Sequence, residues 1–314
     1  MNKITTFVGQ ISTTDKKAWL NKISPFLKNI IIVPFEDLTK EQKLDIEVAI
    51  VANPDPKELL ELKNLVWVQS LWAGVERLLA ELPQAKFGIV RMVDPNLSST
   101  MAEAVLAWTF YLHRDMPKYL LQQKNKIWLQ NELIEVKERN VGILGLGNLG
   151  RASAEKLFLN GFNVYGWSRN QTNIQGVKCF SSAIGLQKML KETDILICLL
   201  PLTDETDSLL NYKNLGLLPH GASLINFSRG QIVDENALLQ HLDSGHLKHA
   251  VLDVFDIEPL PKESSLWNSK NITILPHISA PTNIRTASKL VVNNLLQYFE
   301  TGKIPETVER SRGY

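Results

Sequence analysis

The stretch Val141-Gly142-Ile143-Leu144-Gly145-Leu146-Gly147-Asn148-Leu149-Gly150-Arg151 decides the fold. Val141–Leu144 reads as a buried strand that runs into a G-x-G-x-x-G turn. A helical pattern of Ala152, Ala154, Leu157 and Phe158 follows it. Gly145 permits the tight turn, Gly147 lets a pyrophosphate approach the backbone, and Gly150 lets the helix pack closely on the strand. The N–H groups at the start of that helix have no partner within it and suit phosphate oxygens. Glycine-rich turns are common by themselves. With this strand before it and this helix after it, the turn reads as a dinucleotide-binding fingerprint in which Asn148 and Leu149 also border the ligand.

The fingerprint is preceded by 140 residues, which need a fold of their own. They alternate short apolar strands (Ile4–Val8, Ile30–Val33, Val48–Val51, Val66–Leu71, Gly88–Arg91) with helical patterns such as Pro56–Leu62 and Val75–Glu81. Such alternation predicts parallel βαβ units. A long helical block is expected from Ser98 to about Gln130, capped by Ser98 or Ser99 and divided at Pro117. After the fingerprint the alternation resumes. Strands are expected at Asn163–Trp167, Asp194–Leu199, Ser223–Asn226, Lys248–Leu252 and Asn271–Ile274, and helices at Arg151–Asn160, Ala183–Lys191, Asp234–Ser244 and Asn283–Glu300. Periodicity leaves open whether the last helix returns to the first domain.

The bulk numbers narrow the partners. The 314 residues allow about two domains, and 34 basic residues against 33 acidic ones leave no charge footprint for nucleic acid or an anionic membrane. The expected partner is a small molecule. Two cysteines, Cys179 and Cys198, give no disulfide framework, and Cys198 lies in the apolar run Ile195–Leu200. No signal-like apolar segment opens the chain and no run reaches membrane-spanning length, so a cytoplasmic protein is expected.

Three further motifs sit at the ends of expected strands: Asn226-Phe227-Ser228-Arg229-Gly230, Asp253-Val254-Phe255-Asp256-Ile257-Glu258-Pro259-Leu260 and Pro276-His277-Ile278-Ser279. In an open α/β sheet, ligands bind beyond the carboxyl ends of the strands. Arginine grips a carboxylate through two parallel hydrogen bonds and can polarise a neighbouring carbonyl. Histidine can protonate the carbonyl oxygen as a hydride reaches the carbon, while a nearby carboxylate orients the ring. Arg229, His277 and Glu258 together suit reduction of a 2-oxo acid. Taken singly, Arg229 also reads as a helix cap or surface ion-pair partner, Glu258 as a loop residue and His277 as a loop-bonding histidine. The other five histidines read as structural or exposed.

Together with Gly145–Gly150 and Leu200-Pro201-Leu202-Thr203-Asp204-Glu205-Thr206, these motifs give the chain a resemblance along nearly its whole length. It resembles the D-isomer-specific 2-hydroxyacid dehydrogenases. The resemblance implies an α/β fold of two Rossmann-like/flavodoxin-like domains with parallel sheets, the cofactor domain inserted in a split substrate domain. The expected bounds are 1–97 with 283–314 for the substrate domain and 98–282 for the NAD(P)-binding domain. Arg229 is expected to bind substrate, with His277 as acid/base and Glu258 as its partner. Cofactor contacts are expected at Leu200, Pro201, Thr206, Phe227, Ser228, Arg229, Asp253 and His277, and a homodimer through the cofactor domains.

Within that family, the phrases Gln69–Glu76, Arg91–Pro95, Met101–Leu106 and Pro276–Thr282 are most similar to the branch that reduces glyoxylate and hydroxypyruvate. By that likeness the backbone of Ala73 and Gly74 receives the substrate carboxylate and Trp72 forms a pocket wall. Trp72 also reads as a core residue between domains.

Cofactor choice turns on Tyr165-Gly166-Trp167-Ser168-Arg169-Asn170. An enzyme that uses NAD ends this strand with an acid for the ribose hydroxyls. Ser168 stands there instead and Arg169 follows, so NADPH is the expected cofactor, with NADH possible. Reductases of bulkier 2-oxo acids such as phenylpyruvate, and a nucleotide-sensing binding protein without catalysis, are the alternatives.

Overall fold

Short apolar strands between amphipathic helices pair, in the computed structural model, into two all-parallel sheets; residues 3–310 are described. The first sheet is built from Lys3–Gly9 (β1), Ile30–Pro34 (β2), Val48–Ala52 (β3), Trp67–Ser70 (β4) and Gly88–Val90 (β5), in the order β2-β1-β3-β4-β5. Helices Thr13–Ile23 (α1), Lys40–Asp45 (α2), Pro56–Glu61 (α3) and Glu76–Glu81 (α4) connect them. Every residue of β3 is buried, which explains its unbroken apolar sequence: a central parallel strand is covered on both faces.

Two helices follow, Pro95–His113 (α5) and Met116–Lys124 (α6). The second sheet contains Asn140–Leu144 (β6), Asn163–Trp167 (β7), Val177–Phe180 (β8), Ile195–Cys198 (β9), Ala222–Asn226 (β10), Leu247–Leu252 (β11) and Ile272–Ile274 (β12). Its order is β12-β11-β10-β9-β6-β7-β8. Helices Asn148–Leu159 (α7), Ser182–Lys191 (α8), Tyr212–Leu215 (α9) and Glu235–Asp243 (α10) accompany it, and Ile284–Thr301 (α11) closes the order. Strand order reverses between β6 and β9, the switch point at which open α/β sheets bind ligands.

The chain divides into one unit made of residues up to Asn96 and from Thr282 onward, and another of Leu97–Pro281. The second is therefore inserted in the first. Helix α11 returns to the first sheet because its apolar stripe demands it: Ala287, Val291 and Leu295 are fully buried in one cluster with Phe7, Val48 and Trp67. Burial of Val291 and of Leu295 contributes roughly 1.5–3 kcal/mol each. Asn294 Nδ2 fixes the register by donating to Gln69 Oε1 at 2.7 Å.

Three local expectations need correction. Helix α5 begins at Pro95, before Ser98 and Ser99, because proline is pre-shaped for a first turn and Asp94 Oδ1 accepts the Asn96 N–H at 2.9 Å. The helical block ends at Lys124 and not near Gln130; Asp115, at φ 54°, separates its two helices and Pro117 lies in the first turn of α6. Strand β8 was not expected, since its half-exposed sequence Val177-Lys178-Cys179-Phe180 carries little apolar signal.

Candidate active site

The glycine turn has the shape its sequence requires. Gly145 has φ 98°, and a Cβ there would lie 2.8 Å from Leu199 O. A Cβ on Gly150 would lie 1.7 Å from Gly145 O, so any side chain would drive α7 off the strand. Gly147 faces open space, with nothing within 4 Å of an added Cβ. It is also the N-cap of the twelve-residue α7 and makes no side-chain cap bond. An open glycine at an uncapped helix start fits a dinucleotide pyrophosphate.

At the end of β7, Ser168 Oγ donates to Asn170 O at 2.7 Å, turning the chain so that Arg169 points outward, 40% exposed. On the other side of β6, the loop after β9 is tied by Thr206. Its hydroxyl donates to Pro201 O at 2.7 Å and accepts the Thr203 N–H at 2.8 Å. Leu200, Thr206, Phe227 and Ser228 are all buried. Ser228 Oγ bonds Leu200 O, linking the loops after β9 and β10.

The expected catalytic residues lie at the carboxyl ends of the neighbouring strands β10, β11 and β12. Asn226, only 1% exposed, shapes the first loop: its Oδ1 accepts the Ser228 N–H at 3.2 Å and its Nδ2 donates to Arg229 O at 3.0 Å. Arg229 Nη1 donates to Ser228 O at 2.7 Å. Gly230 passes so close to the next loop that an added Cβ would lie 2.0 Å from Phe255 C.

Glu258 and His277 are brought together. Nδ1 of His277 lies 2.7 Å from Glu258 Oε2, and the Phe255 N–H donates to Oε1 at 3.0 Å. The imidazole is 55% exposed and the carboxylate 35%, so the pair faces solvent on its working side. His277 has φ 54°, a left-handed conformation that costs a non-glycine residue on the order of 1–3 kcal/mol. Asp253 holds that turn: its two oxygens accept the Ile278 and Ser279 N–H groups at 2.7 and 2.8 Å. The Asp253 carboxylate, 2% exposed, thereby shapes the histidine loop.

In the other unit, Trp72, Ala73 and Gly74 are half-buried just beyond β4. Trp72 Nε1 donates to Asn53 Oδ1 at 3.0 Å, and its ring meets Trp19 edge-on at 6.5 Å. Among the described residues of that unit, no acceptor takes the N–H of Ala73 or Gly74.

The remaining reactive groups are structural. Burial pushes the Cys198 thiol up to about 11. His241 Nε2 bonds Tyr212 O at 2.9 Å and its ring neighbours His246, whereas His249 bonds Thr273 on β12. Among the described residues no cluster suits a metal ion, and no helix is long and apolar enough to cross a membrane.

The glycine turn at the switch point and the Arg–Glu–His set at the adjoining strand ends define a dinucleotide-dependent oxidoreductase. The pattern of the D-isomer specific 2-hydroxyacid dehydrogenase NAD binding domain matches residues 106–279. The chain belongs to that family. It is 33% identical, over all of both chains and with a TM-score of 0.92, to a D-isomer specific 2-hydroxyacid dehydrogenase from Xanthobacter autotrophicus Py2 solved with NADPH and MES. It is 30% identical, again over both full chains and with a TM-score of 0.90, to an NADPH-dependent glyoxylate/hydroxypyruvate reductase from Sinorhizobium meliloti solved with NADP and sulfate. A probable 2-hydroxyacid dehydrogenase from Rhizobium etli CFN 42, solved with NADP, HEPES and L(+)-tartaric acid, is 28% identical with a TM-score of 0.90, covering 100% of this chain and 99% of that one.

Proposed function

We propose that the protein is an NADPH-dependent reductase of small 2-oxo acids, converting glyoxylate to glycolate and hydroxypyruvate to D-glycerate. The observation that carries this reading is the His277–Glu258 pair at 2.7 Å, formed beyond the ends of β12 and β11, with Arg229 beyond the end of β10, the next strand in the sheet. The unit of Leu97–Pro281 is assigned to the dinucleotide and the split unit to the substrate. When bound, the reduced nicotinamide supplies a hydride to the substrate carbonyl carbon. Arg229 holds the substrate carboxylate and polarises the carbonyl beside it. Within the split unit, the Ala73 and Gly74 N–H groups suit a carboxylate and Trp72 lies beside them, which supports giving that unit the substrate. Glu258 fixes Nδ1 of His277, so Nε2 is the atom that gives its proton to the carbonyl oxygen. In the reverse direction the same nitrogen takes it back.

Ser168 in place of an acid, followed by Arg169, supports NADPH over NADH, and the NADPH and NADP found with similar proteins agree. A homodimer through the cofactor unit is supported by apolar side chains left outside on α6 and beyond it: Leu120, Ile127, Trp128, Leu129 and Leu133 are 52–97% exposed. The experiment is oxidation of NADPH and NADH by the purified protein with glyoxylate, hydroxypyruvate, pyruvate and phenylpyruvate. Fast NADPH oxidation with the first two is expected. Turnover confined to phenylpyruvate would overturn the substrate assignment, and cofactor binding without turnover would overturn the reaction.

A further inference from the structure

Arg169 is already engaged by an anion of the chain itself. Its Nη2 lies 3.0 Å from Glu205 Oε2, with the two side chains 40% and 71% exposed. Arg169 follows β7, and Glu205 lies in the loop after β9. Because the sheet order is β9-β6-β7, the ion pair joins the loops on either side of the strand that carries the glycine turn. Glu205 is not on a loose tether: Thr206, next to it, is buried and closes the Thr203–Thr206 turn with its hydroxyl.

The chemistry of this contact bears on which cofactor is selected. A ribose 2′-phosphate is a doubly charged anion that needs Arg169, and a carboxylate bonded to the same guanidinium competes with it directly. Glu205 neutralises part of the positive charge that would attract the phosphate and repels the phosphate by its own charge. A ribose 2′-hydroxyl suffers no such repulsion and can itself donate to a carboxylate. Ser168 and Arg169 favour the phosphate, whereas Glu205 works against it from another loop.

The geometry points to Glu205 as a cofactor-specificity residue that holds Arg169 in competition with the 2′-phosphate and so restrains selection of NADPH over NADH. This inference rests on the assignment of Arg169 to the 2′-phosphate.

The test measures binding directly. Dissociation constants for NADPH, NADH, adenosine 2′,5′-bisphosphate and 5′-AMP are determined by calorimetry for wild type, Glu205→Gln, Arg169→Ala and the double variant. Glu205→Gln is expected to tighten NADPH and the 2′,5′-bisphosphate by about threefold to tenfold, the scale of an exposed ion pair plus a removed repulsion. NADH and 5′-AMP should stay within about twofold or weaken. In the Arg169→Ala background the Glu205 substitution should lose the part of its effect that comes from freeing the guanidinium, leaving only the smaller gain from removed repulsion. Unchanged or weaker NADPH binding in Glu205→Gln, beside a clear loss in Arg169→Ala, would overturn the inference and leave the NADPH reading standing. If Arg169→Ala binds NADPH as tightly as wild type, the phosphate assignment fails and the role of Glu205 falls with it.

Discussion

Oε2 of Glu258 stands 2.7 Å from Nδ1 of His277, and the other oxygen of the same carboxylate accepts the Phe255 N–H at 3.0 Å. The carboxylate is therefore aimed by the backbone before it aims the ring. One imidazole nitrogen is committed and the other is not, the division of labour that the proposed histidine acid needs. His277→Asn should lower kcat by about 10²–10⁴-fold, the usual worth of a placed general acid. NADPH affinity should be unchanged. Glu258→Gln should retain roughly a tenth or less of the wild-type rate, since it keeps the shape of the contact and loses its charge. A fully active His277→Asn enzyme would remove the histidine from the mechanism.

The turn that presents His277 depends on Asp253. Both of its oxygens accept backbone N–H groups, from Ile278 and Ser279, next to a histidine at positive φ. Asp253→Asn keeps one acceptor but turns an amide N–H₂ toward a donor. Hydrogen bonds to charged groups contribute roughly 1.5–3 kcal/mol, so the variant should unfold at lower denaturant and lose kcat more than it gains KM. Wild-type stability and rate in Asp253→Asn would show that the turn holds its own shape.

Gly230 offers a purely steric test. A methyl group there would lie 2.0 Å from Phe255 C and 2.2 Å from Asp256 N, both of them backbone atoms. The Arg229 loop and the Glu258 loop would have to separate. Gly230→Ala should lose about 1–3 kcal/mol of stability, as overpacked sites do, together with most turnover. An alanine variant that melts and reacts like wild type would mean the two loops can part without consequence.

How much could be read beforehand follows from what each residue depends on. Central strands such as β3 and β10 are buried throughout and show as unbroken apolar runs. The edge strand β8, half-exposed and carrying Lys178, does not show. Arg229, Glu258 and His277 were legible as candidates because the proposed reaction calls for these residue types and the motifs come in order. Their proximity was not, since it comes from β10, β11 and β12 lying side by side in the sheet. Asn226, Asp253 and Gly230 act on backbone atoms of other loops, and no local pattern announces which loop will arrive. The Arg169–Glu205 pair was hidden for the same reason: β6 and its neighbours bring together residues far apart in sequence.

The apolar residues after α5 predict an assembly. Trp128 is 97% exposed and Leu133 69%, an arrangement costly for a monomer in water but ordinary at a subunit interface. Gel filtration with light scattering should give twice the chain mass for wild type. Trp128→Glu combined with Leu133→Glu should move the protein toward the monomer while the far-ultraviolet circular dichroism stays native. A wild-type monomer at micromolar concentration would exclude the interface.

His249 should make stability depend on pH in a definite direction. Burial first, and the Lys248 charge second, push its imidazole down from 6.5 to about 4. Above pH 6.5 the ring is neutral in both folded and unfolded chains and this group adds no slope. As pH falls from 6.5 the unfolded chain takes a proton that the folded chain refuses, so stability is lost until about pH 4 and no further below it. At about 1.36 kcal/mol per unit, the loss from this histidine alone is about 3 kcal/mol. His249→Gln removes the titration while a polar side chain remains opposite Thr273, which now lies 2.9 Å from the imidazole Nε2. Urea unfolding at several pH values should therefore show a steeper loss for wild type than for the variant between pH 6.5 and 4. Parallel curves through that window would remove His249 as the source.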